Sequence, residues 1–474
     1  ALLFSAWNDN HVVQPLNRTT WGAVDPRPTI DADLDQWLRA RSTSGGKPVP
    51  VILVAASGGG LRAAYWAATV LAAAQDRNPA FVRHVFAISG VSGGSLGAAV
   101  FTALAHDAAD SSAARQLSCA RAMERARSTT RSPGPYSSCV RTLLGDDYLS
   151  PVLAKLVAPD LAQRFFPIGI NALDRSRALE ASWEASYTAR VGQPTFTNGL
   201  AGLTSDSAAR LRLPLLLLNA THVETGRRYI AMPVRTSPTP GAHPGSTDST
   251  FADAVDVLGL LDGDLRFSTA VHNSARFTFV SPAGRLDRED GIEYGHVVDG
   301  GYFENSGLAT LREIDRLMRN RGLRPTVLYL CNDPIACTHD MASDTASLAV
   351  AASTTNELMA PVRAVLNARD ARGAMARAQL RNEAGLFLQM NVCDNLFLHE
   401  VAAMTGGAAA PSDSERIHRS RERVVSPPLG WLLSRLARDW MDASLLAGRR
   451  SSSYRSVCVA NNFAALATLD SLLR

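Results

Sequence analysis

Ser92 stands in Gly90-Val-Ser-Gly-Gly94, a G-x-S-x-G sequence. In a nucleophile elbow the flanking glycines permit a strained strand-to-helix turn. The serine hydroxyl is then exposed at a helix N-terminus, where the dipole favours developing negative charge. By itself the pattern says little, because a chain of this length and composition contains a chance match about one time in five. It even occurs twice, since Gly93-Gly-Ser-Leu-Gly97 nominates Ser95. Context separates the two: Ser92 follows the apolar run 82–88 at the turn, whereas Ser95 falls a turn inside the next helix, where a hydroxyl caps or packs.

Two further clusters join it. In Ser57-Gly-Gly-Gly-Leu-Arg62, three glycines free of Cβ bulk let backbone N–H groups converge on an anion such as a tetrahedral oxyanion. A phosphate loop fits worse, because the Walker Lys-Ser/Thr ending is missing and G-x-G-x-x-G is not met. In Val297-Val-Asp-Gly-Gly-Tyr302, followed by Glu304-Asn-Ser-Gly307, Asp299 ends a strand with Gly300 and Gly301 behind it. It can approach a serine hydroxyl and accept its proton. Asp-Gly is also a common turn, so the weight lies on the conjunction. All three clusters sit at the C-terminal ends of expected strands, the edge of an open α/β sheet where sites form.

Residues 48–55 and 82–88 are short apolar runs, the mark of strands buried on both faces, and helices are expected over 63–75 and 95–106. Strand, glycine turn, helix, twice over, implies parallel βαβ architecture. Further strands are expected at 213–219, 277–280, 296–298 and 326–330, so the sheet should continue to about residue 335. An N-terminal arm, 1–46, carries one short helix around 34–40. A catalytic domain, 47–340, holds a mainly helical insertion over the sheet at 107–210, and a helical C-terminal region, 341–474, packs on the core. In that tail Trp431, Leu432, Leu433, Trp440, Met441 and Leu445 suit either a lid or membrane-contact face or core packing, and core packing is favoured.

The 474 residues, 46% of them hydrophobic, suffice for one large domain with appendages or for two. The net charge of +4 is spread along the chain. Without a basic stripe, zinc motif or RNP motif, nucleic-acid binding finds no support. Six cysteines, Cys119, Cys139, Cys331, Cys337, Cys393 and Cys458, include no C-x-x-C pair, which argues against a metal site. No calcium loop is evident either. Cys331 and Cys337 flank an Asn-Asp-Pro turn and can pair in an oxidising compartment; reduced core thiols fit equally, with a slight lean toward export. Ala1-Leu-Leu-Phe-Ser-Ala-Trp7 is compatible with the end of a removed or omitted hydrophobic segment. No run reaches the ~18 apolar residues of a membrane span, so the chain as given reads as soluble or peripheral.

The order Gly-Gly-Gly-x-Arg, then Ser92 32 residues after Gly60, then Asp299 207 residues after Ser92 resembles the patatin-like phospholipases and their relatives among the cytosolic phospholipases A2. The resemblance extends to Asp174-Arg-Ser-Arg-Ala-Leu-Glu180, Leu217-Leu-Asn-Ala-Thr221 with Thr225-Gly-Arg227, and Ser274-Ala-Arg-Phe-Thr-Phe279, covering about 48–335. Ala360-Pro-Val-Arg-Ala and Pro427-Pro-Leu-Gly-Trp431 extend it less specifically toward bacterial members.

The resemblance implies a patatin-like three-layer α/β/α fold with a mostly parallel central sheet. It implies Ser92 as covalent nucleophile, Asp299 as general base, and Gly58, Gly59 and Gly60 as oxyanion donors. Arg62, Gly90, Gly94, Gly300 and Gly301 would be supports. It implies no cofactor and no metal, and a phospholipid or other acyl-lipid substrate; peripheral membrane contact is expected, and the cysteines favour a periplasmic or exported location slightly over the cytoplasm. One departure is Ser57, where plant patatins have Asp; backbone N–H groups do the work, so activity is expected to survive it. The competing readings are a catalytically silent lipid-binding or scaffold protein and a triad esterase or peptidase using His272, His296, His399 or His418. None of these histidines lies in a recognisable loop motif.

Overall fold

The computed structural model of the chain describes residues 8–13, 15–16, 21, 25–41, 49–108, 111–126, 134–236, 250–251, 253–277, 280–288, 291–333, 360–393, 429–446 and 457–474. Its centre is a mixed sheet of ten strands: β1 (Val12–Val13), β2 (Ile52–Ala56), β3 (Val85–Val91), β4 (Leu215–His222), β5 (Arg228–Ala231), β6 (Ala254–Asp256), β7 (Gly284–Asp287), β8 (Glu293–Asp299), β9 (Thr326–Cys331) and β10 (Leu386–Asn391). The order is β1-β7-β8-β4-β3-β2-β9-β10, with β5 on β4 and β6 on β5 beside that path. From β4 through β10 the pairings are parallel; β8 runs antiparallel to both β4 and β7.

The central strands are buried on both faces, and their side chains alternate between two cores. On β2, Ile52, Val54 and Ala56 join one core, with residues of the helices Gly60–Arg77 and Gly93–Asp107. Leu53 and Ala55 join the other, with the helices Ile30–Arg39 and Leu308–Asn320. The result is three layers, α/β/α. The first two helices are rich in small residues, which lets them approach closely: a Cβ on Gly97 would lie 2.4 Å from the Ala64 carbonyl oxygen.

The expected elements recur with shifted ends. The helix expected over 63–75 begins already at Gly60, inside the glycine cluster, and the one expected over 95–106 begins at Gly93. The described residues of 107–210 are mainly helical, and the helix Arg175–Val191 packs against Phe267–Ser274.

Three expectations need correction. The region after 341 is not purely helical, because β10 extends the core sheet alongside β9; the run Leu-Phe-Leu-Gln-Met-Asn directly follows a 24-residue helix, so its apolar pattern blends into helical periodicity. The arm adds β1 to the opposite edge. No strand forms at Phe277 or Val280; Ala275 and Phe277 are in turn-type hydrogen bonds instead. In the tail Trp431, Leu433, Trp440, Met441 and Leu445 are core residues, while Leu432 is exposed.

Disulfides join Cys119 to Cys139 and Cys393 to Cys458; Cys331 is also disulfide-bonded, and Cys337 lies outside the described residues. Among the described residues no helix is long and apolar enough to cross a membrane. The Cys393–Cys458 bridge ties the end of β10 to the last helix across 65 residues. Replacing both cysteines with serine should lower the unfolding free energy by about 2–4 kcal/mol, measured by denaturant titration.

Candidate active site

Gly90 and Val91 end β3, and the chain turns at Ser92 into the helix Gly93–Asp107. Ser92 has φ 53° and ψ −125°, one of three non-glycine residues with positive φ among those described. A side chain rarely tolerates this backbone, and strain of about 1–3 kcal/mol persists only where the surroundings enforce it. Here the Ser92 N–H donates to Ser274 O at 3.2 Å and Ser274 Oγ at 3.0 Å. Gly94 must lack a side chain, since a Cβ there would sit 2.3 Å from the Ala56 carbonyl oxygen; at Gly90 it would meet the Ser95 backbone at 2.6 Å. Ser95, the rival nucleophile, is fully buried with its hydroxyl bonded to Ser274 Oγ at 2.8 Å.

Asp299 arrives from the other direction. β8 is antiparallel to β4 but overlaps only its last residues, with Asp299 opposite Ala220 while β3 places Val91 opposite Asn219. The stagger stops an antiparallel strand at the C-terminal edge of a parallel sheet, level with Ser92. Gly300 permits this stop, because a Cβ would lie 2.2 Å from the Asn219 carbonyl oxygen.

The Asp299 carboxylate is buried. Its Oδ1 accepts the Gly301 N–H at 2.7 Å, and Oδ2 has no hydrogen-bond partner among the described residues. Burial pushes this carboxyl up to about 6, opposed by the Ser92 hydroxyl, the Gly301 N–H and the Arg369 charge. Ser92 is thus close enough to act on the carboxylate without a well-formed hydrogen bond to it. Such loose apo pairs tighten in a Michaelis complex.

The glycine loop faces Ser92: a Cβ on Gly58 would approach the Ser92 Cβ to 3.2 Å. Gly58 differs from expectation, because its N–H donates to the Asn305 carbonyl at 2.8 Å. The N–H groups of Gly59 and Gly60 have no partner among the described residues, and both glycines have positive φ. Gly93, directly after Ser92, opens the helix and packs on Gly60, where a Cβ would come within 1.8 Å of the Gly60 carbonyl oxygen. Arg62 Nε donates to Asn332 Oδ1 at 2.9 Å. Asn332 Nδ2 in turn donates to Gly58 O at 2.7 Å and Ser57 Oγ at 2.8 Å. Arg62, whose pKa is lowered by burial against the pull of Asp333, therefore acts on the loop through Asn332.

Sequence reasoning missed Asn305, Asn332 and Gly430, whose carbonyl accepts the Leu61 N–H at 2.7 Å. Lone Asn and Gly residues in turns carry no distinguishing signal, although Asn305, Asn332 and Gly430 all lay in stretches singled out for other reasons. Other quoted motifs converge here too. Asn219 Nδ2 holds Gly90 O at 2.8 Å, Thr221 Oγ1 donates to Asp299 O at 2.9 Å, and Ser274 anchors the elbow.

Of the candidate triad histidines, the two among the described residues are engaged elsewhere. His272 is buried between Glu180 and Ser281, each at 3.0 Å. His296 bridges Glu224 at 2.7 Å and Asp9 at 3.0 Å, and these carboxylates raise it to about 9. His399 and His418 lie outside the described residues. Among those residues no cluster of His, Cys, Asp and Glu could hold a metal ion.

No protein-family model matches the sequence, and no curated protein matches it. Among solved structures the chain is similar to human GIVD cytosolic phospholipase A2, at 13% identity and a TM-score of 0.40, covering 93% of this chain and 65% of that one. The same enzyme in complex with methyl gamma-linolenyl fluorophosphonate gives 16% identity, a TM-score of 0.40 and coverages of 94% and 62%. VipD from Legionella pneumophila gives 15% identity, a TM-score of 0.30 and coverages of 91% and 69%. The chain thus spans slightly under two thirds of the human enzyme's chain. Likenesses this distant carry no functional argument, and the chemistry must be read from the site itself.

Two expectations follow from the site. If Asp299 serves as a general base it must be ionised to act, so kcat/KM of any hydrolysis that depends on it should fall below about pH 6 with a slope of one proton. The folded state favours protonated Asp299, so this group's stabilisation is complete below its ordinary value of 3.8 and is lost as pH rises through about 6. Asp299→Asn should therefore abolish turnover yet leave the protein more stable than wild type at pH 8, by up to about 3 kcal/mol, measured by denaturant unfolding.

Proposed function

We propose that the chain is a lipid acyl hydrolase of the phospholipase A or lysophospholipase type, working through a Ser92–Asp299 dyad and an acyl-enzyme. The observation that carries this reading is the pairing of Ser92, forced to positive φ between strand and helix, with a buried carboxylate whose Oδ2 has no other partner among the described residues. A merely structural serine gains nothing from that strain.

In the first half-reaction Ser92 Oγ attacks the ester carbonyl carbon as Asp299 takes its proton. The C=O electrons move onto oxygen, within reach of the free N–H groups of Gly59 and Gly60 and the helix N-terminus at Gly93. Collapse expels the alcohol, which takes the proton back from Asp299. Water then attacks the acyl-enzyme with Asp299 again as base, releasing the fatty acid and free Ser92. A carboxylate raised toward neutrality is a stronger base than an ordinary one, which suits a dyad lacking imidazole. The motif order that resembles the patatin-like phospholipases, bacterial members among them, supports the lipid substrate class. Disulfides support folding in an oxidising compartment, and with it a periplasmic or exported location.

A fluorophosphonate probe should label wild type at Ser92, with no labelling of Ser92→Ala and strongly slowed labelling of Asp299→Asn. Peptide mapping by mass spectrometry reads the site. Failure of folded wild type to label would favour the silent lipid-binding alternative, and loss of activity on replacing any one histidine in folded protein would favour the triad.

A further inference from the structure

Seven of the sixteen exposed large hydrophobic side chains among the described residues fall within 153–170: Leu153, Val157, Leu161, Phe165, Phe166, Ile168 and Ile170. They are not scattered. Leu149–Lys155, a π-helical turn Leu156–Asp160 and Leu161–Gln163 form one helical run. Leu153, Val157 and Leu161 recur at spacing four along it and continue to Phe165, so they share one face. Val152, Asp160 and Gln163 point inward and are buried. Val157 is 67% exposed, Phe165 61% and Ile168 65%, an arrangement that a folded protein in water does not favour without a partner.

The charges of the segment are one-sided. Between Tyr148 and Leu173 the charged residues are Lys155, Asp160 and Arg164. Asp160 is buried and ion-paired with Arg175. Within 149–170 the surface charge is therefore cationic, and the exposed Asp147 just before it caps the start of the run through the Leu149 and Ser150 N–H groups.

The stripe is also tied to the site. Tyr148, at its start, donates its N–H to the Trp431 carbonyl at 3.1 Å, next to Gly430 on the glycine loop and between the exposed Leu429 and Leu432. At its far end Arg175 Nε donates to the Val280 carbonyl at 3.0 Å. The exposed Phe277, three residues earlier, stacks on Tyr302 just after Asp299.

We propose that residues 149–170, with Leu429 and Leu432, form a docking face for an anionic lipid bilayer, the π-turn segment lying in the headgroup region with its cations on lipid phosphates and its aromatics among the acyl chains. This deepens the lipid-hydrolase reading but is tested apart from it. The protein used is the full chain carrying Ser92→Ala, so no lipolysis occurs. It is floated with vesicles of phosphatidylcholine alone and with phosphatidylglycerol added. The expected result is binding to the anionic vesicles, about a hundredfold weaker after V157S/L161S/F165S/F166S and about tenfold weaker after K155A/R164A, with unchanged unfolding midpoints. Equal flotation of the fourfold variant and its parent would overturn the proposal. So would absence of flotation together with a dimer, on gel filtration, that the fourfold variant converts to monomer, which would assign the face to a second copy of the chain.

Discussion

Asp299 is a carboxylate buried without a bonded cation among the described residues, and much of the surrounding structure can be read as the means of keeping it there. Desolvation works against its ionised form, and the Gly301 N–H supplies only one compensating hydrogen bond. The carboxylate stays in place because its backbone is held from both sides. Thr221 bonds its carbonyl, and its own N–H donates to the Arg276 carbonyl. Ser274, which anchors Ser92, lies two residues before Arg276. Ser92 and Asp299 are thus positioned by one short stretch of backbone, and a displacement of that stretch must move both.

The glycines of the site are used for proximity more than for flexibility. Gly93 against Gly60, Gly94 against Ala56 and Gly300 against Asn219 each bring backbone to backbone at distances no Cβ tolerates. This packing fixes the glycine loop relative to the elbow before any substrate binds, which is what electrostatic preorganisation requires.

Much of this was legible in the sequence because it is local. Ser92, Asp299 and the glycine cluster each sit where an apolar run ends in glycine, and such runs are read directly as buried strands. The choice between Ser92 and Ser95 needed only the position of a helix start. What escaped was non-local. Asn305 and Asn332 look like ordinary turn residues, and nothing in the chain shows that one takes the Gly58 N–H while the other binds its carbonyl. The direction of β8 escaped too: a strand ending in Asp-Gly-Gly reads the same whether it runs with its neighbour or against it. The strand β10 was hidden by the long helix preceding it.

The glycine loop also bears on biosynthesis. Its supports come from Asn305, Asn332 and, through the Leu61 N–H, Gly430, so the oxyanion-binding geometry depends on segments dispersed through most of the chain. Closing contacts over such separations is a late event in folding. A chain still emerging from the ribosome holds Ser92 but not the scaffold that fixes the loop facing it. The order of synthesis thereby delays assembly of the glycine loop until the C-terminal region has docked.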